Sequence, residues 1–569
     1  MRKQDNKYIW ILLTVCFFSL ILFLGNALFN TKGEPREAVV ALSMLKYGNW
    51  ILPVNNGVDI AYKPPFFHWC IAVFSLIAGH VSEFTSRLPS AVSLIAMVIV
   101  GFKFYAKRST PRLAFLAALV TLTSFEIHRA GTNCRVDMVL SALIVISLYQ
   151  LYKWGERGLR GIPFAAILCM SCAFLTKGPV GIILPCMVTF VFLWIRGAGF
   201  GRLLIKFAAV AAASCILPAC WYVAAYRQGG DTFLRLVYEE NVLRFLGKMS
   251  YSSHEEPVYY NFITVIAGYV PYTLLVLISL FALKYRRISG KPAEWWRRLC
   301  AYIKGMDDAR LFSLLSIVLI FVFYCIPKSK RSVYLLPIYP FIAYFLAEYI
   351  VYLSERHRAV IRSFGYVLSG LAVLLVVTLV CVRMGLVPET VFSGRHAAEN
   401  IAFMRALATA RLGFMQIVAI AAPLVAGLLF WYLRRKSSRT QIYAMTALIF
   451  SIFFSLDGFY TSTVLNVKSD KPVAMRIKEI VGDRRIYIYY ERTPKHNPMR
   501  PFSINFYLND NVVPFEAVMP RSGYVIAGDD AIDSFRERYP DYRVVEVADF
   551  NHKSCDDKRM VHLYNVARR

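Results

Sequence analysis

Long apolar runs separated by short polar or charged loops set the pattern of this chain. Runs at roughly 8–29, 88–106, 111–125, 136–152, 163–176, 179–195, 203–226, 259–283, 310–326, 333–353, 363–386, 412–433 and 441–460 predict thirteen membrane crossings. Each approaches the ~20 residues with which a helix spans ~30 Å of hydrocarbon. Lipid does not tolerate open sheet edges, so the runs should assemble as a helix bundle. The apolar stretch 66–80 is ambiguous, because counting it as a crossing reverses the side of every later loop. From about residue 461 the pattern changes. Strand-like runs at 485–490, 524–527 and 542–547 alternate with helix-like 472–481 and 531–539, which predicts a small α/β domain over 461–569 behind a membrane domain over 1–460.

A hydrophobic fraction of 57% and a mean hydropathy of +0.48 over 569 residues exclude an ordinary soluble protein. The net charge of +29 invites a nucleic-acid reading, but the basic residues sit in short clusters between apolar runs. With 66–80 kept outside, segments 1–7, 103–112, 153–162, 196–206, 284–310, 354–362 and 434–440 hold 28 of the 65 Lys and Arg residues. The opposite loops are longer in total, hold fewer, and mix them with acids. The positive-inside rule makes the seven basic segments cytoplasmic. The stretch 66–80 then becomes a helix at the outer interface, a position that suits Phe66, Phe67 and Trp69. The N-terminus is expected in the cytoplasm and the tail outside. The first run lacks a cleavage site and reads as a retained helix. Twelve cysteines show no metal or disulfide spacing.

With that topology the unusual polar residues collect on the outer side. Glu34, Arg36, Glu37 and Lys63 fall in the first outer loop. Arg129, Arg135 and Asp137 lie between the third and fourth crossings, and Lys177 in the hairpin Thr176-Lys177-Gly178-Pro179. Glu240, Arg244 and His254 belong to the 227–258 loop, and Lys328, Lys330 and Arg331 precede Tyr334. A transporter would be expected to carry its charges near the midplane on broken helices. Charges at one interface favour an enzyme acting on a lipid-held substrate. If a sugar leaves a polyprenyl phosphate, Lys and Arg clamps stabilise the phosphate charge as it develops. A single displacement at the sugar carbon inverts it. A hydroxyl acceptor needs a carboxylate to take its proton, whereas a phosphate acceptor needs only orientation. Glu34 and Asp137 are the carboxylates expected there, with Lys63.

These residues resemble a known pattern: Glu34-Pro35-Arg36 with Glu37-Ala38, Gly48-Asn49-Trp50, Lys63-Pro64-Pro65 with Trp69, Ser86-Arg87-Leu88-Pro89-Ser90, Arg135-Val136-Asp137, Leu175-Thr176-Lys177-Gly178-Pro179, Glu240-Asn241 with Arg244-Phe245, and Ser329-Lys330 with Tyr334 and Pro337. In this order and spacing the chain resembles the GT-C membrane glycosyltransferases, in the branch of lipid A aminoarabinose transferases and bacterial protein O-mannosyltransferase-like enzymes. The resemblance implies a polytopic α-helical membrane protein of about thirteen helices, with outer interfacial helices near 34–47 and 64–80 and a periplasmic C-terminal α/β domain. It implies residence in a bacterial inner membrane and a polyprenyl-phosphate-linked sugar donor. The acceptor would be a lipid A-type molecule or a protein. Arg36, Lys63, Lys177, Arg244, Lys330 and Arg331 are the expected donor-phosphate contacts. Membrane lipids are the other expected partners, nucleic acid is not one, and a monomer is expected. Two departures bear on a divalent metal, for which His254 is the candidate ligand: Gly33 stands where the family often has Asp, and Tyr62 where it has Glu. The rival readings are a lipid-linked sugar flippase or transporter, and a surface-polysaccharide ligase or polymerase.

Overall fold

The computed structural model describes residues 3–243, 255–283, 292–489, 500–529 and 531–569. All thirteen apolar segments lie on helices or helix pairs. The first ten helices are α1 (Lys3–Cys16), α2 (Gly33–Tyr47), α3 (Phe66–Ala78), α4 (Glu83–Ala106), α5 (Pro111–Leu122), α6 (Phe125–Gly131), α7 (Val136–Glu156), α8 (Phe164–Lys177), α9 (Val180–Ile195) and α10 (Phe200–Tyr238). Among the described residues eight helices have the length and hydropathy of a crossing. Two bent pairs bring the number to ten: α5 with α6, at 70°, and Tyr259–Gly268 with Tyr272–Ala282, at 96°. α8, α9 and α1 are shorter, so length alone supports eight to ten of the thirteen expected crossings.

The helices face one another through a shared aromatic and aliphatic core in which Phe104, Tyr149, Trp154, Phe312 and Phe341 are fully buried. Buried hydroxyls on these apolar helices have no water to bond and turn back to the carbonyl four residues earlier. Ser141 bonds Asp137 O at 2.7 Å, Ser147 bonds Leu143 O at 2.7 Å, and Thr121 bonds Ala117 O at 2.8 Å. The outer surface is equally apolar. Phe281 is 94% exposed and Leu428 71%, which water would penalise and hydrocarbon does not. The chain is a multi-pass membrane protein.

The C-terminal region forms a five-stranded mixed sheet. Its strands follow the short hairpin β1 (Val54–Asn55) and β2 (Asp59–Ile60), and are β3 (Ile486–Ile488), β4 (Val512–Pro514), β5 (Ser522–Ala527), β6 (Tyr542–Lys553) and β7 (Met560–Arg568). Their order is β4-β3-β5-β7-β6, with β3 parallel to β4 and β5, and β7 antiparallel to β5 and β6. Helix Lys471–Val481 packs its Val473, Ala474, Ile477 and Val481 side into the sheet's apolar core.

This sheet domain sits on α2 and β1–β2. Buried Asp510 accepts from Ser43 Oγ at 2.7 Å and from the Asn56 N–H at 3.1 Å. Lys46 donates to the carbonyls of Asn509 and Asp510 at 2.8 and 3.0 Å. Tyr507 donates to Glu83 at 2.9 Å and accepts from the Phe29 N–H at 3.0 Å. Phe506 stacks edge-on to Phe29 within the small core that also holds Ala38, Phe67 and Val139. α2 is thus held between the bundle and the sheet, and its first turn carries the acids and bases singled out from sequence.

Candidate active site

α2 starts at Gly33, and Glu34 in its first turn is only 4% exposed. Both oxygens of Glu34 are taken by Arg87 of α4, from Nε at 2.8 Å and Nη2 at 2.9 Å, and the Cys134 N–H donates to Oε1 at 2.9 Å. Arg87 uses its remaining nitrogen on the carbonyls of Leu24 and Ala27. Burial raises the Glu34 carboxyl, but the Arg87 charge and the bonds from Arg87 and Cys134 outweigh it and hold the group below its ordinary value. The sequence expectation placed Glu34 against the acceptor. In the structure its lone pairs are already occupied, and it clasps α2 to α4 and to the start of α7.

Glu37, one turn further, binds three groups. Arg36 reaches Oε1 at 2.7 Å and Lys63 reaches it at 3.0 Å, while His68 Nε2 lies 2.9 Å from Oε2. Burial acts to raise Glu37, yet Lys63, Arg36 and the His68 hydrogen bond together hold it well below the usual carboxylate range. Glu37 is 3% exposed, whereas the side chains of Arg36 and Lys63 keep 39% and 32% of their surface. Tyr62 donates to Glu240 at 3.1 Å, and Glu240 acts electrostatically on Arg36 and Lys63.

A second cluster adjoins this one through residues 133–137. Asp137, in the first turn of α7, pairs with Lys177 at the end of α8. The Lys177 ammonium also lies 4.2 Å above the Tyr334 ring. Arg135 and Arg331 both act electrostatically on Asp137, and Arg129 is forked onto Glu126 at 3.0 and 2.7 Å. Lys330 is buried and donates to the Pro327 carbonyl at 2.7 Å, within its own loop. That loop is joined to the preceding outer one by the Glu255–Ser329 bridge and the Glu256 N–H to Lys328 carbonyl bond at 3.3 Å. Arg244 and His254 lie outside the described residues.

The structure therefore brings Glu34, Arg36, Lys63, Asp137, Lys177 and Arg331 into two adjoining clusters. Sequence reasoning gave no role to Glu37, His68, Arg87 or Arg135. The Arg87 signal was an arginine inside an apolar helix, which lipid tolerates only when the charge is paired. Among the described residues no three His, Cys, Asp or Glu side chains converge to hold a metal ion. Glu37 is saturated by cations and Tyr62 offers a phenol in place of a carboxylate, so the described residues do not fit a divalent cation.

Residues 62–222 match the dolichyl-phosphate-mannose-protein mannosyltransferase family. The chain is 29% identical over 352 residues to an uncharacterized protein of Aquifex aeolicus, across 61% of this chain and 64% of that one. It is 26% identical over 394 residues to an undecaprenyl phosphate-alpha-4-amino-4-deoxy-L-arabinose arabinosyl transferase of Proteus mirabilis, across 68% and 67%. The match thus spans about two thirds of these relatives' lengths, slightly less for the first. The fold is that of the crystal structure of ArnT from Cupriavidus metallidurans bound to undecaprenyl phosphate, with a TM-score of 0.70 over 98% of this chain and 97% of that one, at 19% identity. The resemblance to the GT-C aminoarabinose transferases read from sequence is borne out, as is the GT-C architecture of apolar helix bundle and C-terminal sheet domain.

Proposed function

We propose that this GT-C chain is a glycosyltransferase that moves a sugar from a polyprenyl-phosphate-linked donor to an acceptor at the outer face of a bacterial inner membrane. One observation carries this reading: partly exposed cations (Arg36, Lys63, Lys177) are each held by a buried carboxylate at adjoining ends of α2, α7 and α8. Fixed cations so placed stabilise the phosphate charge that grows as the sugar leaves, and they need no reorganisation at that moment. The bond between the sugar carbon and the donor phosphate oxygen breaks, the acceptor oxygen bonds the same carbon, and the polyprenyl phosphate keeps the electron pair; a hydroxyl acceptor passes its proton to Asp137, whereas an ionised phosphate acceptor has none to give. Attack from the far side inverts the sugar.

Lys63 and Arg36, aimed by Glu37, hold the departing phosphate. Asp137 faces the acceptor, with Lys177 and Arg331 beside it. Glu34 positions α2 through Arg87 and does not touch substrate. The acceptor is a lipid A-type molecule or a protein, the N-terminus lies in the cytoplasm, and the sheet domain lies in the periplasm.

The test is incubation of purified protein in detergent with a polyprenyl-phosphate sugar and each acceptor, where translocation has no meaning. A new glycosidic bond found by mass spectrometry, with release of the polyprenyl phosphate, supports the reading. A donor left intact with every acceptor would favour a flippase instead.

A further inference from the structure

The cations of this end of the molecule fall into two kinds. Arg87 has every nitrogen engaged, on Glu34 and on two carbonyls. Arg129 is forked onto Glu126, and Arg36 onto Glu37. Arg135 differs. Among the described residues its guanidinium makes no hydrogen bond and no ion pair, and its Nε is buried without a partner. Its backbone is nonetheless fixed. The Arg135 N–H donates to the Asn133 carbonyl at 3.0 Å, and its own carbonyl accepts from Ser90 Oγ at 3.3 Å. A guanidinium carries five donors in a planar fork, and desolvating one of them without an acceptor is costly.

The place of this guanidinium is specific. It lies on the bare backbone of Gly33, where a Cβ would stand 2.0 Å from Nη2 and 2.3 Å from Cζ. Gly33 opens α2, so the cation rests on the positive end of a 15-residue helix. Two like potentials meet there, and Glu34, the carboxylate next to Gly33 in the chain, is already consumed by Arg87. Arg135 also acts electrostatically on both Glu34 and Asp137, so it stands at the join of the two clusters.

We propose that Arg135 is a phosphate-binding residue of the site, and that Gly33 is required because any side chain there drives the guanidinium from its seat. A phosphate oxygen supplies the missing acceptor and satisfies the fork and the helix end together. The proposal rests on the transferase reading and deepens it. The phosphate has two sources in that reaction, the polyprenyl phosphate of the donor and a phosphorylated acceptor head group.

Two variants address the site differently. Arg135→Gln keeps most of the volume and loses the charge. Gly33→Ala keeps the charge and pushes against the flexible end of Arg135, so the fold should survive it. The first arm measures binding of undecaprenyl phosphate to each purified variant, with no turnover. The second measures KM for a phosphorylated lipid acceptor and for its dephosphorylated form. Weakening of undecaprenyl phosphate binding by about tenfold or more in both variants assigns the donor phosphate. Unchanged binding, with KM raised about tenfold or more for the phosphorylated acceptor alone, assigns the acceptor phosphate. Values unchanged in both arms overturn the proposal, as does a fall in kcat alone. If Arg135→Gln lowers the melting temperature, Gly33→Ala carries the test. If the wild type forms no glycosidic bond, the transferase reading fails, and the binding arm still judges Arg135.

Discussion

Arg87 donates to both carboxylate oxygens of Glu34, at 2.8 and 2.9 Å, and neither residue is more than 4% exposed. Removing one partner of such a pair strands the other charge in a place water cannot reach, at a cost of about 3–5 kcal/mol. Glu34→Gln should therefore lower the thermal unfolding temperature in detergent, with transfer lost as a consequence. Unchanged melting with transfer abolished would return Glu34 to the chemistry.

Lys63 makes the opposite case. Its ammonium meets Glu37 at 3.0 Å while about a third of the side chain stays exposed, 32% by area. Lys63→Ala should leave melting near that of the wild type and cut kcat by about 100- to 1000-fold, the cost of one lost donor to a developing anion. Lys63→Arg should restore part of it. Assays of both variants beside circular dichroism separate this from misfolding.

Asp137 and Lys177 form one unit, so their losses should not add. Asp137→Asn and Lys177→Met are each expected to lower transfer by about 100-fold, in the range of a lost proton-transfer or charge-holding group. The double variant should be no worse than the poorer single. Additive losses would assign the two residues separate tasks.

Much of the architecture was legible because apolar run length and loop charge are local properties. The segment 136–152, for instance, emerges as α7 from pattern alone, and Asp137 stood out as a carboxylate beside an apolar run. The clasp of Glu34 on Arg87 was not legible, since the two are 53 positions apart and Arg87 sits within an apolar helix. Nor was Asp510, whose bond to Ser43 spans 467 residues. Nor was the engagement of Lys330 with the Pro327 carbonyl of its own loop. Gly33 read as a missing acid, and only tertiary structure reveals that Arg135 fills the space.

Asp510 should prove to be the hinge-pin of the sheet domain on α2. Asp510→Ala leaves the Asn56 N–H without its acceptor, and Asn505 Nδ2 loses its 2.6 Å contact. Each buried group left unsatisfied costs about 1–3 kcal/mol. Hydrogen exchange is expected to rise across residues 43–60, and transfer to fall with it. Unaltered exchange there would show that the domain docks by other contacts.

Asp556 gives the account a pH signature. Burial, aided by Asp470 and Asp557, pushes its carboxyl from an ordinary 3.8 up to about 8, against the pull of the Ser503 N–H and of Lys32. The folded state then keeps a proton that the unfolded chain releases, so stability present at acid pH is lost as pH rises from about 4 to about 8. The slope is at most about 1.4 kcal/mol per pH unit. Glu37 works in the opposite sense, but only at and below its ordinary 4.5. Melting temperatures between about pH 5.5 and 8.5 should decline for the wild type and flatten for Asp556→Asn.

The anomeric configuration of the transferred sugar, read by NMR on product made from a donor of known configuration in detergent, tests the central claim most directly. Direct displacement at a single outer site predicts a glycosidic bond of inverted configuration. Retained configuration, or no bond at all, would contradict it.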